Sequence, residues 1–240
     1  MPAIVEGDDD GMYVLKFRGA GQGPKALVAE LIAGELARAA GLPIPEIVFM
    51  TLDGDLARTE PDSEIQDLIR SSAGLNLALD YLPGALAFDP LAEPPAAALA
   101  SAIVWHDAFV TNVDRTPRNT NMLYWHRRLW LIDHGAALFF HHDWASYLAH
   151  IHSPFPRIKD HVLLEFASEL REVDSELTRR LTPEVIAKIV ALVPDDWLAE
   201  DAAVGDSGNQ RRAYENFLLR RLEAPRAFVE EAIRARTTAV

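Results

Sequence analysis

The chain of 240 residues contains no cysteine, which excludes disulfide staples, thiolate metal sites and cysteine nucleophiles. Basic residues are scarce, 23 Lys and Arg against 36 Asp and Glu. The resulting net charge of −13 argues against general nucleic-acid binding, which rests on basic side chains that displace counterions. No apolar run approaches the roughly 18 residues that a membrane span needs. The first residues, Met-Pro-Ala-Ile-Val-Glu-Gly-Asp, lack the basic end of a targeting segment, so a cytoplasmic protein is expected. Internal repeats are absent, and an Ala/Pro-rich stretch at 90–102 is the one biased tract. What remains is ordinary globular material, 49% apolar and 25% charged. The length slightly exceeds a usual single domain, so two lobes sharing one cleft fit better than two independent domains.

The informative stretch is Asn112-Val113-Asp114-Arg115-Thr116-Pro117-Arg118-Asn119, followed by Leu131-Ile132-Asp133-His134-Gly135. A kinase catalytic loop places a base Asp five positions before a metal-binding Asn, and a second Asp ahead of a Gly completes the metal site. Asp114, Asn119 and Asp133 fill those places. Phosphoryl transfer needs little covalent work from a protein and much positioning and charge neutralisation. Mg2+ prefers oxygen and takes one or two carboxylates beside phosphate oxygens, which Asp133 and Asn119 are suited to supply. Asp114 then stays off the metal and takes the proton of an acceptor hydroxyl. The flanks agree with this reading: an apolar helix precedes the loop, and strands at 121–124 and 129–132 around His126-Arg127-Arg128 lead to Asp133. Arg115, Arg118, Arg127 and Arg128 are expected to meet phosphate or an acidic substrate.

A kinase also needs a phosphate-pairing lysine upstream. Met12-Tyr13-Val14-Leu15-Lys16-Phe17 alternates as a half-buried strand with Lys16 turned from the core. Gly19, Gly21 and Gly23 follow, so peptide N–H groups in that turn have room to approach a phosphate. Residues 24–40 read as a helix with Pro24 at its start and Gly41 past its end. Two carboxylates compete there to pair with Lys16. On a helical wheel Glu35 falls within the apolar stripe of Val28, Leu31, Ile32 and Leu36, where an unpaired charge is costly, so the wheel favours Glu35 over Glu30.

The succession of Tyr13-Val14-Leu15-Lys16, Glu30, Leu36-Ala37-Arg38-Ala39-Ala40-Gly41-Leu42-Pro43-Ile44-Pro45 and the N-x-D-R-x3-N loop resembles the HipA-like kinase family over about half of the chain. That resemblance implies Glu30 as the partner of Lys16. It also implies a two-lobed, protein-kinase-related α+β fold that uses ATP with Mg2+ and, in some members, phosphorylates Ser or Thr of proteins. Departures are visible: Thr116 stands where such loops often carry His, and His134 follows Asp133 in place of an aromatic. With about fifteen residues ahead of Lys16, a full phosphate-covering hairpin is not expected, so the first lobe is reduced or the chain starts late.

A small β-rich N-lobe is expected over 1–82 and a mainly helical C-lobe over 83–240. Residues 74–84 read as a strand leaving through Pro83-Gly84, where a kinase connects its lobes. Leu79, Tyr81 and Leu82 are therefore candidates to contact adenine. Helices are expected over 95–108, 159–170, 173–180, 183–192, 211–223 and 225–236, with an exposed acidic loop over 193–209. The expected partners are ATP and a hydroxyl-bearing acceptor, protein or small molecule. Two other readings follow from the same residues. One is a nucleotide-binding adaptor without turnover. The other is a metallohydrolase built from His134, His141, His142, His150, His152 and His161 with Asp133 and Asp143, although no H-E-x-x-H spacing is present.

Overall fold

Alternating apolar residues build the first layer. The computed structural model describes residues 2–199 and 201–239. Strands β1 (Pro2–Glu6) and β2 (Met12–Lys16) form a hairpin, and β3 (Ile47–Leu52) and β4 (Gly74–Asp80) complete an antiparallel sheet of order β1-β2-β4-β3. Its two faces are covered differently. Helix α1 (Pro24–Ala39) packs on the face that carries Leu77, whereas Leu15, Phe17, Leu52 and Ala78 turn to a smaller core shared with Leu68 and Ile69 of α2 (Ser63–Ser71). Neighbouring Leu77 and Ala78 thus serve opposite faces, as the two-residue repeat of a strand requires. β1, β3 and α2 go beyond the elements read from the sequence.

Helix α1 starts after Gly23, whose φ of +68° and ψ of −151° lie in a region open essentially to glycine alone, and Pro24 takes the first helical position. α2 begins at Asp62, whose carboxylate accepts from the peptide N–H groups of Glu64 and Ile65.

Beyond β4 the chain becomes mostly helical around α3 (Ala97–Phe109), which is buried on nearly every side. Strands β5 (Leu86–Ala87), β6 (Met122–Trp125) and β7 (Arg128–Leu131) form a small antiparallel sheet beside it. The β6–β7 turn has positive φ at both His126 and Arg127, the twist that a two-residue hairpin favours. After the short α4 (Tyr147–His150) come α5 (Leu170–Arg180), α6 (Pro183–Ala191), α7 (Ser207–Leu222) and α8 (Ala227–Ala239). Trp105 packs tilted against Phe109 and edge-on against Phe228, with centroids 5.3 and 5.4 Å away, which joins α3 to α8. Buried Arg221 of α7 has no carboxylate partner among the described residues and donates to Ala108 O and Phe109 O at the negative end of α3 and to the carbonyls of His150, Ile151 and Ser153.

Two sequence expectations need correction. Residues 159–170 do not form an α-helix. They are tight turns over Pro156–Asp160 and Leu164–Phe166, and α5 starts at Leu170. The reason is tertiary, because buried His161 is drawn onto α3. The stretch 193–209 is only partly an exposed loop: Trp197 and Leu198 are buried, and α7 already begins at Ser207, capped by Asp206.

Candidate active site

Helix α1 carries Glu30 to the end of β2, where Lys16 emerges. Lys16 Nζ lies 3.3 Å from Glu30 Oε2 and donates to Asp133 Oδ1 at 2.7 Å. Burial works against the charge of Lys16, but Glu30 and then Asp133 outweigh it and hold its pKa above the ordinary lysine value. Glu30 is almost wholly buried. Desolvation alone would raise its pKa, yet Lys16 first, then neighbouring His134 with its peptide N–H, hold it at about 2. Glu35, favoured by the wheel, pairs instead with Arg38 at 2.8 Å on the same helix. The stripe argument misleads because α1 is buried nearly all round, from Leu27 through Gly34.

The loop after α3 hangs on one buried carboxylate. Asp107 accepts from Arg115 Nε at 2.6 Å, from Asn112 Nδ2 at 3.0 Å and from His161 Nε2 at 2.9 Å. Leu163 N donates to His161 Nδ1 at 3.0 Å, so the imidazole is neutral with its proton on Nε2, facing Asp107. Arg115 also donates to the carbonyls of Asn121 and Ile132 and so ties the loop to the residue before Asp133. Asp107 stays ionised: burial pushes its pKa up, but Arg115, followed by His161, pulls it well below the carboxylate range. Arg115 is thus a buried scaffold and not a phosphate contact as expected from the sequence. Arg118, Arg127 and Arg128 are exposed.

Asp114 projects from this scaffold. Its peptide N–H bonds Asn112 Oδ1, and its Oδ2 accepts from Asn119 Nδ2 at 2.7 Å and from Asn121 Nδ2 at 3.3 Å. With Nδ2 of Asn119 given to a carboxylate, its Oδ1 is left for a cation. Asp133 likewise keeps Oδ2 outside the Lys16 hydrogen bond. Thr111, Asn121 and Asp133 all have positive φ, about +50°, so unusual backbone concentrates where the loop and the Asp133 segment meet.

Two adjoining cavities flank Lys16 and Asp133. One, of about 170 Å³, is lined by Gly21, Ala26 and Glu30. The other, of about 150 Å³, is lined by Val14, Leu79, Tyr81, Leu82 and Leu123. Pro2 borders both. Gly21 has a φ of +56° with open space around its α-carbon, and Gly23 sits just behind it at the start of α1. The peptide N–H of Tyr81 is taken by Met12 O, whereas that of Leu82 bonds nothing among the described residues. Leu82 is the donor left at the apolar cavity.

Sequence reasoning missed Asp107 and Asn121, and it took His161 for a metal ligand where the structure makes it a partner of Asp107. Asn121 had a readable signal, a second amide two residues past Asn119, whereas Asp107 and His161 sit 54 residues apart without a motif. The proposed histidine assembly does not form. His161 is bound to Asp107 and His141 to Tyr214, and among the described residues the one group with metal-ligand proximity is His106, Asp107 and His134.

An antiparallel sheet with one crossing helix, a helical second layer and a lysine shared between a helix glutamate and an aspartate describe a two-lobed, protein-kinase-like fold. The chain belongs to the HipA-like kinase family, whose model matches residues 1–228. Among solved structures it is similar to the Helicobacter pylori proinflammatory kinase CtkA, with a TM-score of 0.58 and 13% identity over 100% of this chain and 95% of that one. No curated protein matches. Among the described residues no helix is long and apolar enough to cross a membrane.

Proposed function

We propose that the chain is an ATP- and Mg2+-dependent kinase that moves the γ-phosphate to a hydroxyl, with protein Ser or Thr as the acceptor class that the family resemblance favours. The observation that supports this reading best is the convergence of Lys16, Glu30 and Asp133 in one cleft, beside a loop that holds Asp114 against Asn119. The apolar cavity suits an adenine ring, with Leu82 N–H toward its edge. Lys16 and the turn at Gly21 and Gly23 would meet the phosphates.

The donor set fits magnesium, because Asp133 and Asn119 offer hard oxygen atoms with a side free. Bound there, the ion would neutralise phosphate charge and align the transferring group. Asp114 stands one hydrogen bond away from Asn119 and orients the acceptor hydroxyl. As the hydroxyl oxygen bonds the γ-phosphorus, the bond to the β,γ-bridging oxygen breaks. Its electron pair leaves with ADP, and Asp114 takes the hydroxyl proton. Asn121, also bonded to Asp114, fixes the carboxylate for that task.

The test is Asp114→Asn, assayed for γ-phosphate transfer to candidate protein and small-molecule acceptors and for Mg·ATP binding by calorimetry. Transfer is expected to fall by about 10²-fold or more, with binding largely retained. Normal Mg·ATP binding by the wild type without transfer to any acceptor would favour a nucleotide-binding adaptor instead.

A further inference from the structure

We infer that His134 is a positioning residue, whose imidazole Nδ1–H holds the second oxygen of Glu30 and so locks α1 to the segment that carries Asp133. The inference rests on the kinase reading and assigns a residue which that reading leaves idle. Glu30 Oε2 is fully used, accepting from the peptide N–H of His134 at 2.9 Å and facing Lys16. Among the described residues Glu30 Oε1 is buried and has no hydrogen-bond partner. The imidazole of His134 is completely buried, has no hydrogen bond at either nitrogen among the described residues, and places Nδ1 3.7 Å from that oxygen. A small turn within the rotamer well closes this gap. Leaving it open strands an ionised carboxylate oxygen and a polar ring together in a dry site, the costlier arrangement.

With the Nδ1 proton committed to Glu30, Nε2 remains an acceptor. His106 of α3 meets the ring edge-on at 6.0 Å and is also buried, near the backbone of Ala33 but without a formed hydrogen bond at either nitrogen among the described residues. A metal ion shared by His106, Asp107 and His134 explains the site less well, because both Asp107 oxygens are already committed to Arg115, Asn112 and His161. In protein kinases an aromatic after this Asp sets the active arrangement by packing. Here a hydrogen bond does so: both oxygens of the Lys16 partner are read by the residue next to Asp133.

Three variants test the inference. His134→Phe keeps the ring and removes the donor, whereas His134→Asn places an amide N–H near the Nδ1 position. Glu30→Gln, alone and combined with His134→Phe, reports whether the effect passes through Glu30. Mg·ATP affinity by calorimetry is expected to weaken about tenfold in His134→Phe, which stays folded with a lowered thermal midpoint, and to stay within about threefold in His134→Asn. In the Glu30→Gln background the Phe exchange should change affinity less than about twofold. Without nucleotide, amide exchange in the first turns of α1 should speed up in His134→Phe and not in His134→Asn.

Wild-type affinity in His134→Phe with unchanged exchange overturns the inference alone, as do additive losses in the double variant. A wild type that binds no Mg·ATP overturns the kinase reading instead, and the exchange measurement still decides the contact with Glu30. Should His134→Phe fail to fold, His134→Gln removes the donor from the Nδ1 position and takes its place, with the same losses expected.

Discussion

Replacing Arg115 by Met tests whether the catalytic loop rests on buried charge. The guanidinium and the Asp107 carboxylate are both wholly inaccessible, 2.6 Å apart. Met fills much of the volume and removes the cation, so Asp107 keeps only Asn112 and His161. Breaking one side of a buried pair costs about 3–5 kcal/mol, a large part of the roughly 5–15 kcal/mol that holds a domain together. Of that loss, part is recoverable with acid. In the wild type the pKa of His161 is lowered, first by burial, and Arg115 contributes to the lowering. A histidine held neutral when folded makes stability fall as pH drops through the unfolded value near 6.5. Without Arg115 one cause of that lowering is gone while burial remains, so the folded pKa of His161 moves back toward the unfolded value. Less stability is then lost as pH drops through the unfolded value, and the sign of the dependence is unchanged.

Urea unfolding at pH 8 and pH 6 reads both effects. The Arg115→Met penalty should be about 3–5 kcal/mol at pH 8 and shrink by a few tenths of a kcal/mol, at most about 0.8 kcal/mol, at pH 6. Adding His161→Gln should abolish the pH dependence of the penalty. A penalty below about 1 kcal/mol, or one equal at both pH values, would refute the account of Asp107 as an ionised hub.

Two further outcomes follow from named geometry. Gly23→Ala meets no close atom, the nearest being Arg18 O at 3.9 Å, so its cost is purely conformational. About 1–3 kcal/mol is expected, read as a drop of roughly 2–10 °C in thermal midpoint. His106 is held neutral, its pKa lowered to about 3 by burial first and also by Arg115, so wild-type stability falls as pH drops below the unfolded value of about 6.5. His106→Leu should remove about 1 kcal/mol per pH unit of that fall between pH 6 and pH 5, where carboxylates still contribute little. Equal slopes in urea unfolding would show that His106 takes up its proton while folded.

What the sequence made legible is what lies close along the chain or repeats with a period. Asp114, Asn119 and Asp133 fall within 20 residues, and the strand and helix that bring Lys16 and Glu30 together follow one another directly. The choice between Glu30 and Glu35 was not legible from the wheel, because a helix buried on all sides has no single stripe to mark its inner face. The hub was illegible for another reason. Arg115 is the arginine of the N-x-D-R-x3-N loop, but neither its charge nor its spacing says that it is buried where Arg118 is exposed, and the approach of His161 and α3 decides which arginine is inside. The same approach overrides the helical composition of residues 159–170.

Lys16 links these observations into one electrostatic argument. It is one cation between two carboxylates, and it lies closer to the half-exposed Asp133 than to buried Glu30. On the proposed function a metal at Asp133 must compete with that 2.7 Å contact, while nucleotide phosphates offer Lys16 a replacement. Glu30 has no such exchange: it is out of water and fixed by His134. Lys16→Met would therefore act at two places with opposite sense. It frees Asp133 for cations and leaves Glu30 as a buried anion whose main counter-charge is gone, so Mg2+ binding without nucleotide should strengthen while thermal stability and ATP affinity fall together.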